Sequence, residues 1–362
     1  MPVPTRSRFL SVVAAAGLAV VLNASLLAAP AQAAARPHAV AQIAVSATKV
    51  KAGRTVQITG RLTERGKAVK RTVVRVQKRV HGRTKWVTLA TRRTDSAGRI
   101  SLRSTKLTRS HDFRLAWAGD TTAAPTTSTA VSVSALQQVG ITSVSDLHPT
   151  AGDVVTISGA AYPGIVDRRA YLQLATSSGW RSVASTRVPT SGAFTVTVRS
   201  MRGGEQQYRF LVVGDEGVLP AQSAPQTFEV YAWYRLVDQN PLASTSFFGG
   251  AQPIGGTVYE DSESVALAPR TAAYVDYDLG YQCRLLRTTF GPTDDSADGF
   301  SARFTVKVDD ARPIDMVLAK GATWSETAEI SGGQTLRLTS FAVTGEGTAA
   351  WGDAEVLCVG RP

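Results

Sequence analysis

Apolar residues recur at every second position along most of this chain. Val74 and Val76, Ile100 and Leu102, and Phe113, Leu115 and Trp117 alternate with other residues. So do Leu172 and Leu174, Phe194, Val196 and Val198, and Tyr208, Phe210 and Val212. A two-residue period puts one set of side chains on each face of an extended strand. β-Branched residues are common, Gly, Asp, Ser and Pro punctuate the runs, and no ten-residue stretch keeps a helical period. The pattern predicts an all-β protein of short antiparallel strands.

The alternation is itself repeated. Residues 51–60 read KAGRTVQITG and residues 150–159 read TAGDVVTISG. Trp86 stands 12 residues before Gly98, and Trp180 stands 12 before Gly192. Gly119-Asp120 is followed by Pro125 and Ser128, and Gly214-Asp215 by Pro220 and Ser223 at the same distances. The period of 94 to 99 residues fits one β-sandwich per unit. The two units, 41–134 and 135–231, resemble the bacterial immunoglobulin-like repeats of secreted and surface proteins. That resemblance implies the fold and a spacer-type use, not a ligand. Recurrence of Trp86 and Trp180 at equivalent places points to shared packing rather than to sugar platforms. The paired glycines read as turns or bulges with unusual backbone angles.

Ahead of the repeats, Arg6 and Arg8 precede an apolar run from Phe9 to Ala29, ending in Ala31-Gln32-Ala33. Residues 1–33 read as a secretory signal peptide. Asn23 and Ser25 interrupt the run, which weakens a transmembrane reading. Residues 34–40 read as a tail, and no later stretch has the 18 to 20 apolar residues of a spanning helix. The expected location is secreted, extracellular or attached to the cell wall.

Composition then sharpens the picture. A hydrophobic share of 43% supports packed cores, and two Cys exclude a disulfide-dense scaffold. The net charge of +12 is unevenly spread. Residues 41–134 hold 20 Lys+Arg against 4 Asp+Glu, residues 135–230 hold 7 of each, and residues 231–362 hold 10 against 17. In the basic unit Lys67, Lys70, Arg71, Arg75, Lys78, Arg79, Arg83 and Lys85 fall within twenty residues, with Arg75 expected to face solvent between Val74 and Val76. Such a face would attract anionic cell-envelope polymers in a salt-dependent way; the alternative is a solvated face that keeps the chain soluble. No aromatic residues interleave with these charges, which argues against a nucleic-acid groove.

From about Tyr231 the pattern changes. Val275, Tyr277 and Leu279 alternate with Asp276 and Asp278, and Phe304, Val306 and Val308 with Thr305 and Lys307. In an exported chain Cys283 and Cys358 are expected to pair. Closing that loop would stabilise by about 4 kcal/mol in the chain-entropy account. Tyr277-Asp278-Leu279-Gly280, Phe290-Gly291 with Asp294-Asp295-Ser296, Gly332-Gly333-Gln334-Thr335-Leu336-Arg337-Leu338 and Trp351-Gly352-Asp353-Ala354-Glu355-Val356 follow in order. This order resembles the NPCBM family over about residues 245–359. The resemblance implies a galactose-binding-like jelly-roll β-sandwich for residues 232–362, an accessory module that binds sugars through loops at one end. It also implies a structural Ca²⁺ in some relatives. The family has an acidic or His residue where this chain has Thr348-Ala349-Ala350, and no hydrolase domain accompanies the module.

Sugars are held by aromatic faces and a few polar groups. The carbohydrate-binding candidates are Trp324, Tyr281, Glu326, Arg287 and Trp351, with Tyr259 also available. Trp351 opens a strand and suits the core; Trp324, in a polar stretch, suits an exposed platform. Asp294 and Asp295 are weak metal candidates, an acidic turn being the alternative. No Gly-x-Ser-x-Gly elbow, His-Glu-x-x-His pair or phosphate loop occurs. His38 sits in the tail, and His81, His111 and His148 fall at turns. The expectation is a non-catalytic secreted carbohydrate-binding protein, the alternative a structural or protein-interaction surface protein without a sugar ligand. Oligomeric state is not legible.

Overall fold

The computed structural model describes residues 36–162, 165–200 and 202–362; the signal peptide read from the sequence lies outside them. The described residues are strands and turns with a single 3-10 turn, Leu236–Asp238. No helix among them is long and apolar enough to cross a membrane. The chain is an all-β protein of β-sandwiches.

Its first sandwich sets the sheet of Ala39–Val45, Gln57–Glu64 and Arg99–Arg103 against the sheet of Val131–Leu136, His111–Trp117, Val73–Val80 and Val87–Arg93. The chain switches sheets early, since Lys49–Lys51 runs parallel to Val131–Leu136. Strand starts two residues earlier than the sequence reading placed it, at Ala39 in the segment read as a tail. The second sandwich repeats the strand order. Gln138–Val144, Val154–Tyr162 and Ala193–Arg199 form one sheet, and Gly179–Arg187, Arg169–Thr176 and Gly204–Val212 belong to the other.

Local chemistry repeats with the strands. The Ser128 hydroxyl accepts the Leu115 amide at 2.9 Å, and the Ser223 hydroxyl accepts the Phe210 amide at 2.9 Å, where the ladder is interrupted. Gly98 and Gly192 have φ of +71° and +79°, and a Cβ there would stand 2.5 and 2.6 Å from the carbonyl oxygens of Leu62 and Ala161. Only glycine fits both the angle and the approach. Trp86 lies on the outer sheet face, with the guanidiniums of Arg79 and Arg114 at 4.6 and 4.2 Å from its ring. Trp180 carries Arg209 at 4.1 Å. Arg114 and Arg209 are each held by a glutamine, Gln77 and Gln173. The tryptophans therefore pack as a shared device outside the cores.

The third sandwich has two antiparallel sheets. One runs Phe248–Ile254, Thr257–Leu267, Gly347–Cys358, Cys283–Pro292 and Trp324–Glu329, with Ala232–Arg235 also on Gly347–Cys358. The other runs Ala243–Ser244, Ala272–Asp278, Thr335–Thr344, Ser301–Val308 and Ala311–Ala319. Cys283 and Cys358 are disulfide-bonded across facing strands, as the sequence led us to expect. Phe290 and Trp351 from the first sheet meet Phe304 from the second, with ring centroids 5.0 to 5.3 Å apart. The Trp351 indole N–H donates to the Ser340 hydroxyl at 3.1 Å across the sandwich.

A second polar tie crosses the same core. The Tyr277 hydroxyl donates to the Glu263 carboxylate at 2.7 Å, and both residues are buried. Burial raises the Glu263 pKa above the ordinary carboxylate value, and the Tyr277 hydrogen bond only partly offsets it. A group whose folded-state pKa is raised favours the fold when protonated. That contribution is complete below the unfolded value and is lost as pH rises through the folded value. Glu263→Gln should therefore gain stability relative to wild type as pH rises from about 4 to 8. Urea midpoints measured across that range check this; a constant difference would contradict it.

Candidate functional site

The outer face of the third sandwich carries a groove of about 410 Å³, lined by Tyr259, Arg287, Thr289, Glu326, Asp353 and Glu355 among others. Its origin is a bulge. Along Gly347–Cys358, Ala349 and Trp351 point into the core, yet Ala354, Val356 and Cys358 do so further on. The register slips between Arg287 and Thr289, opposite Glu355 and Gly352. One extra residue reverses the alternation and aims Glu355 outward. Asp353 takes the extra place at φ +44°, and its carboxylate accepts the Asp261 amide at 3.0 Å. Thr288 donates from its hydroxyl to the Gly352 carbonyl.

Across this dent Arg287 donates from Nε to Glu355 at 2.6 Å, and its guanidinium lies 4.1 Å from the centre of the Trp233 ring. Thr289 and Ser325 share a hydroxyl hydrogen bond of 2.7 Å at the neighbouring positions. The Tyr259 ring lies against Gly352, where a Cβ would come within 2.6 Å of it. The face thus offers an aromatic wall, a guanidinium, carboxylates and hydroxyls around one hollow, the mixture that matches the two-sided chemistry of a sugar.

The residues singled out from the sequence divide. Arg287 and Glu326 line the groove. Trp324 is 45% exposed and reaches the site through its indole N–H, which donates to Glu326 at 2.9 Å. Tyr281 lies elsewhere, exposed in a turn at φ +60° with its hydroxyl on Gln334. It shares no wall with the others, because the period of the strands does not say which loops meet. Trp351 is fully buried and is removed as a sugar contact: its side chain is needed between the sheets. Trp233 was missed, since only the pairing of Ala232–Arg235 with Gly347–Cys358 brings it beside Arg287. Tyr259 is the aromatic wall.

Asp294 is engaged within the fold. Both oxygens of Asp294 accept backbone amides, from Gly255 at 2.9 Å and Gly256 at 2.8 Å. No three acidic, His or Cys side chains gather to hold a metal among the described residues. Asp294 instead holds the turn before Thr257–Leu267.

The basic residues of the first sandwich divide into paired and unpaired ones. Arg79 pairs with the buried Asp112 at 2.9 Å, alongside His81 and Ser132 on the same carboxylate. Burial opposes ionisation of Asp112, but the hydrogen bonds from His81, Ser132 and Arg79 prevail and hold its pKa below the usual range. Arg83 is paired with Glu216 of the second sandwich. Lys78 donates to Thr105. Lys67, Lys70, Arg71, Arg75 and Lys85 remain exposed.

No family model matches the chain, and no curated protein sequence does. Solved structures are similar to it at low scores. CBM51 from Clostridium perfringens GH95 in complex with methyl-galactose is 15% identical, covering 34% of this chain and 99% of that one, at a TM-score of 0.29. The D0-D1 domain of Intimin is 16% identical, covering 52% and 98%, at 0.23. A structure of carbohydrate-binding modules from the β-sandwich superfamily is 10% identical, covering 61% and 98%, at 0.23. Likenesses this distant do not assign a ligand to this chain.

Two outcomes are expected. Gly352→Ala should displace the Tyr259 ring and alter the groove, read as a changed fluorescence or NMR signature of Tyr259 without loss of the fold. Asp294→Ala should lower the thermal midpoint, whereas chelator or added Ca²⁺ should leave the wild-type midpoint unmoved. A midpoint that follows Ca²⁺ would restore the metal reading.

Proposed function

We propose that the protein is a secreted, non-catalytic carbohydrate-binding protein whose third sandwich works as an NPCBM-like module. The observation that carries this reading is the bulge-made groove, in which Tyr259, Arg287, Glu326 and Glu355 surround a hollow of about 410 Å³. That size lies in the range of small-ligand sites. A sugar ring would lie against Tyr259, its hydroxyls taking hydrogen bonds from Arg287 and giving them to Glu326 and Glu355. The basic first sandwich would meanwhile hold the protein on anionic envelope polymer, and the signal sequence would deliver it there. In this reading the site positions a glycan and performs no bond cleavage.

A glycan array probed with the full chain tests it. Binding should appear for some glycans. Tyr259→Ala or Arg287→Ala should weaken it by about tenfold, the equivalent of roughly 1.4 kcal/mol. Tyr281→Ala should leave it unchanged, since Tyr281 lies outside the groove. An array on which the folded chain retains no glycan would overturn the proposal in favour of a scaffold role.

A further inference from the structure

A second, larger hollow lies elsewhere. A groove of about 880 Å³ crosses the three strands Ala39–Val45, Gln57–Glu64 and Arg99–Arg103 of the first sandwich. Four arginines line it, Arg61, Arg92, Arg93 and Arg99, with Gln42 and Asp95 beside them. None of the four belongs to the residues the sequence singled out. All four are exposed, and among the described residues none of their guanidiniums makes a salt bridge. The carboxylate in this lining is Asp95, on which Arg99 also acts through its charge. Asp95 accepts the backbone amides of Ala97 and Arg99 at 2.8 Å each, which lowers its pKa and keeps it an ionised turn cap.

The arrangement works against the stability of the sheet. Arg61 and Arg99 are direct cross-strand partners, and Gln42 is the partner of Arg61 on the other side. Like charges placed directly opposite one another are destabilising. The fold does not require them. In the second sandwich the same register position is occupied by Ala160 opposite Ala193. There the counterpart of Arg92 is Thr186, and that of Arg93 is Arg187, which is neutralised by Asp167 at 2.8 Å. Two sandwiches with one strand order thus differ at this face in that one of them gathers guanidiniums without a salt bridge.

We propose that this groove is the site at which the first sandwich cradles an extended polyanion with repeated phosphate or carboxylate groups. Guanidinium forks match both oxyanions bidentately, and several of them lining one open groove suit a polymer better than a single small anion. The inference rests on the reading that the first sandwich holds anionic polymer, and it relocates that contact. The site assigned is the face of Arg61 and Arg99 rather than the stretch from Lys67 to Lys85, in which Arg79 and Arg83 have carboxylate partners while Lys67, Lys70, Arg71, Arg75 and Lys85 are exposed.

The test uses the full chain on immobilised long-chain polyphosphate and on polygalacturonate, with elution by a NaCl gradient. Wild type should bind at least one of them and elute with salt. Arg61→Ala/Arg99→Ala should weaken binding about tenfold or more and flatten its salt dependence. Its thermal midpoint should not fall, because a like-charge pair is removed. Lys67→Ala/Lys70→Ala removes the same charge and should bind almost as wild type does. Retention on one polymer alone identifies which oxyanion is read. If the lysine variant loses binding and the arginine variant keeps it, or if both lose it equally, the site assignment is overturned while polymer retention stands. If wild type binds neither polymer, both fall.

Discussion

The one-residue bulge at Gly352–Asp353 governs the third sandwich. Before it, Trp351 must point inward to meet Phe290 and Phe304. After it, Val356 and Cys358 must also point inward, one to fill the core and the other to reach Cys283. A regular strand satisfies only one of these demands, because residues an odd number apart face opposite sides. The extra residue satisfies both, and as a result Glu355 is turned out beside Arg287. The core and the groove are therefore two consequences of one backbone irregularity, braced by Asp353 on the Asp261 amide.

The first two sandwiches show the complementary case. Their inward residues and ladder breaks agree closely, down to Ser128 and Ser223 on the amides they satisfy. Their outer faces have diverged. Burial constrains what faces inward, whereas outward positions are free to carry charge at small energetic cost. The strongly basic and neutral characters of the two units lie mainly in their outward positions. The acidic character of the third unit is likewise spread over its turns and outer positions, apart from Glu263 and Asp276, which are buried with partners of their own.

Legibility followed the same division. Alternation identified strands such as Phe304-Thr305-Val306 and Tyr208-Arg209-Phe210, and the spacing of Trp86 from Gly98 pointed to the repeating unit. Pairing of Cys283 with Cys358 was legible from their number, given the reading of residues 1–33 as a signal peptide. The sugar candidates were legible only as residue types. Trp324 and Glu326 are neighbours along one strand, so their hydrogen bond is local. Arg287 meets Glu355 and Trp233 only through strand order, and Tyr281 drops out for the same reason. Counting charge found the basic unit but not which of its cations have partners, because the carboxylates that neutralise Arg79 and Arg83 come from strands or units distant in sequence.

What the sequence determined by itself is the set of strands, the side of each strand that is buried and the chemistry available to the chain. A period of two is a local property, and apolar burial acts on each strand wherever it ends up. Which outward side chains become neighbours was decided only by the tertiary structure. Register, sheet order and a single bulge bring together residues such as Tyr259, Arg287 and Glu355, or Arg61 and Arg99, that no local pattern links.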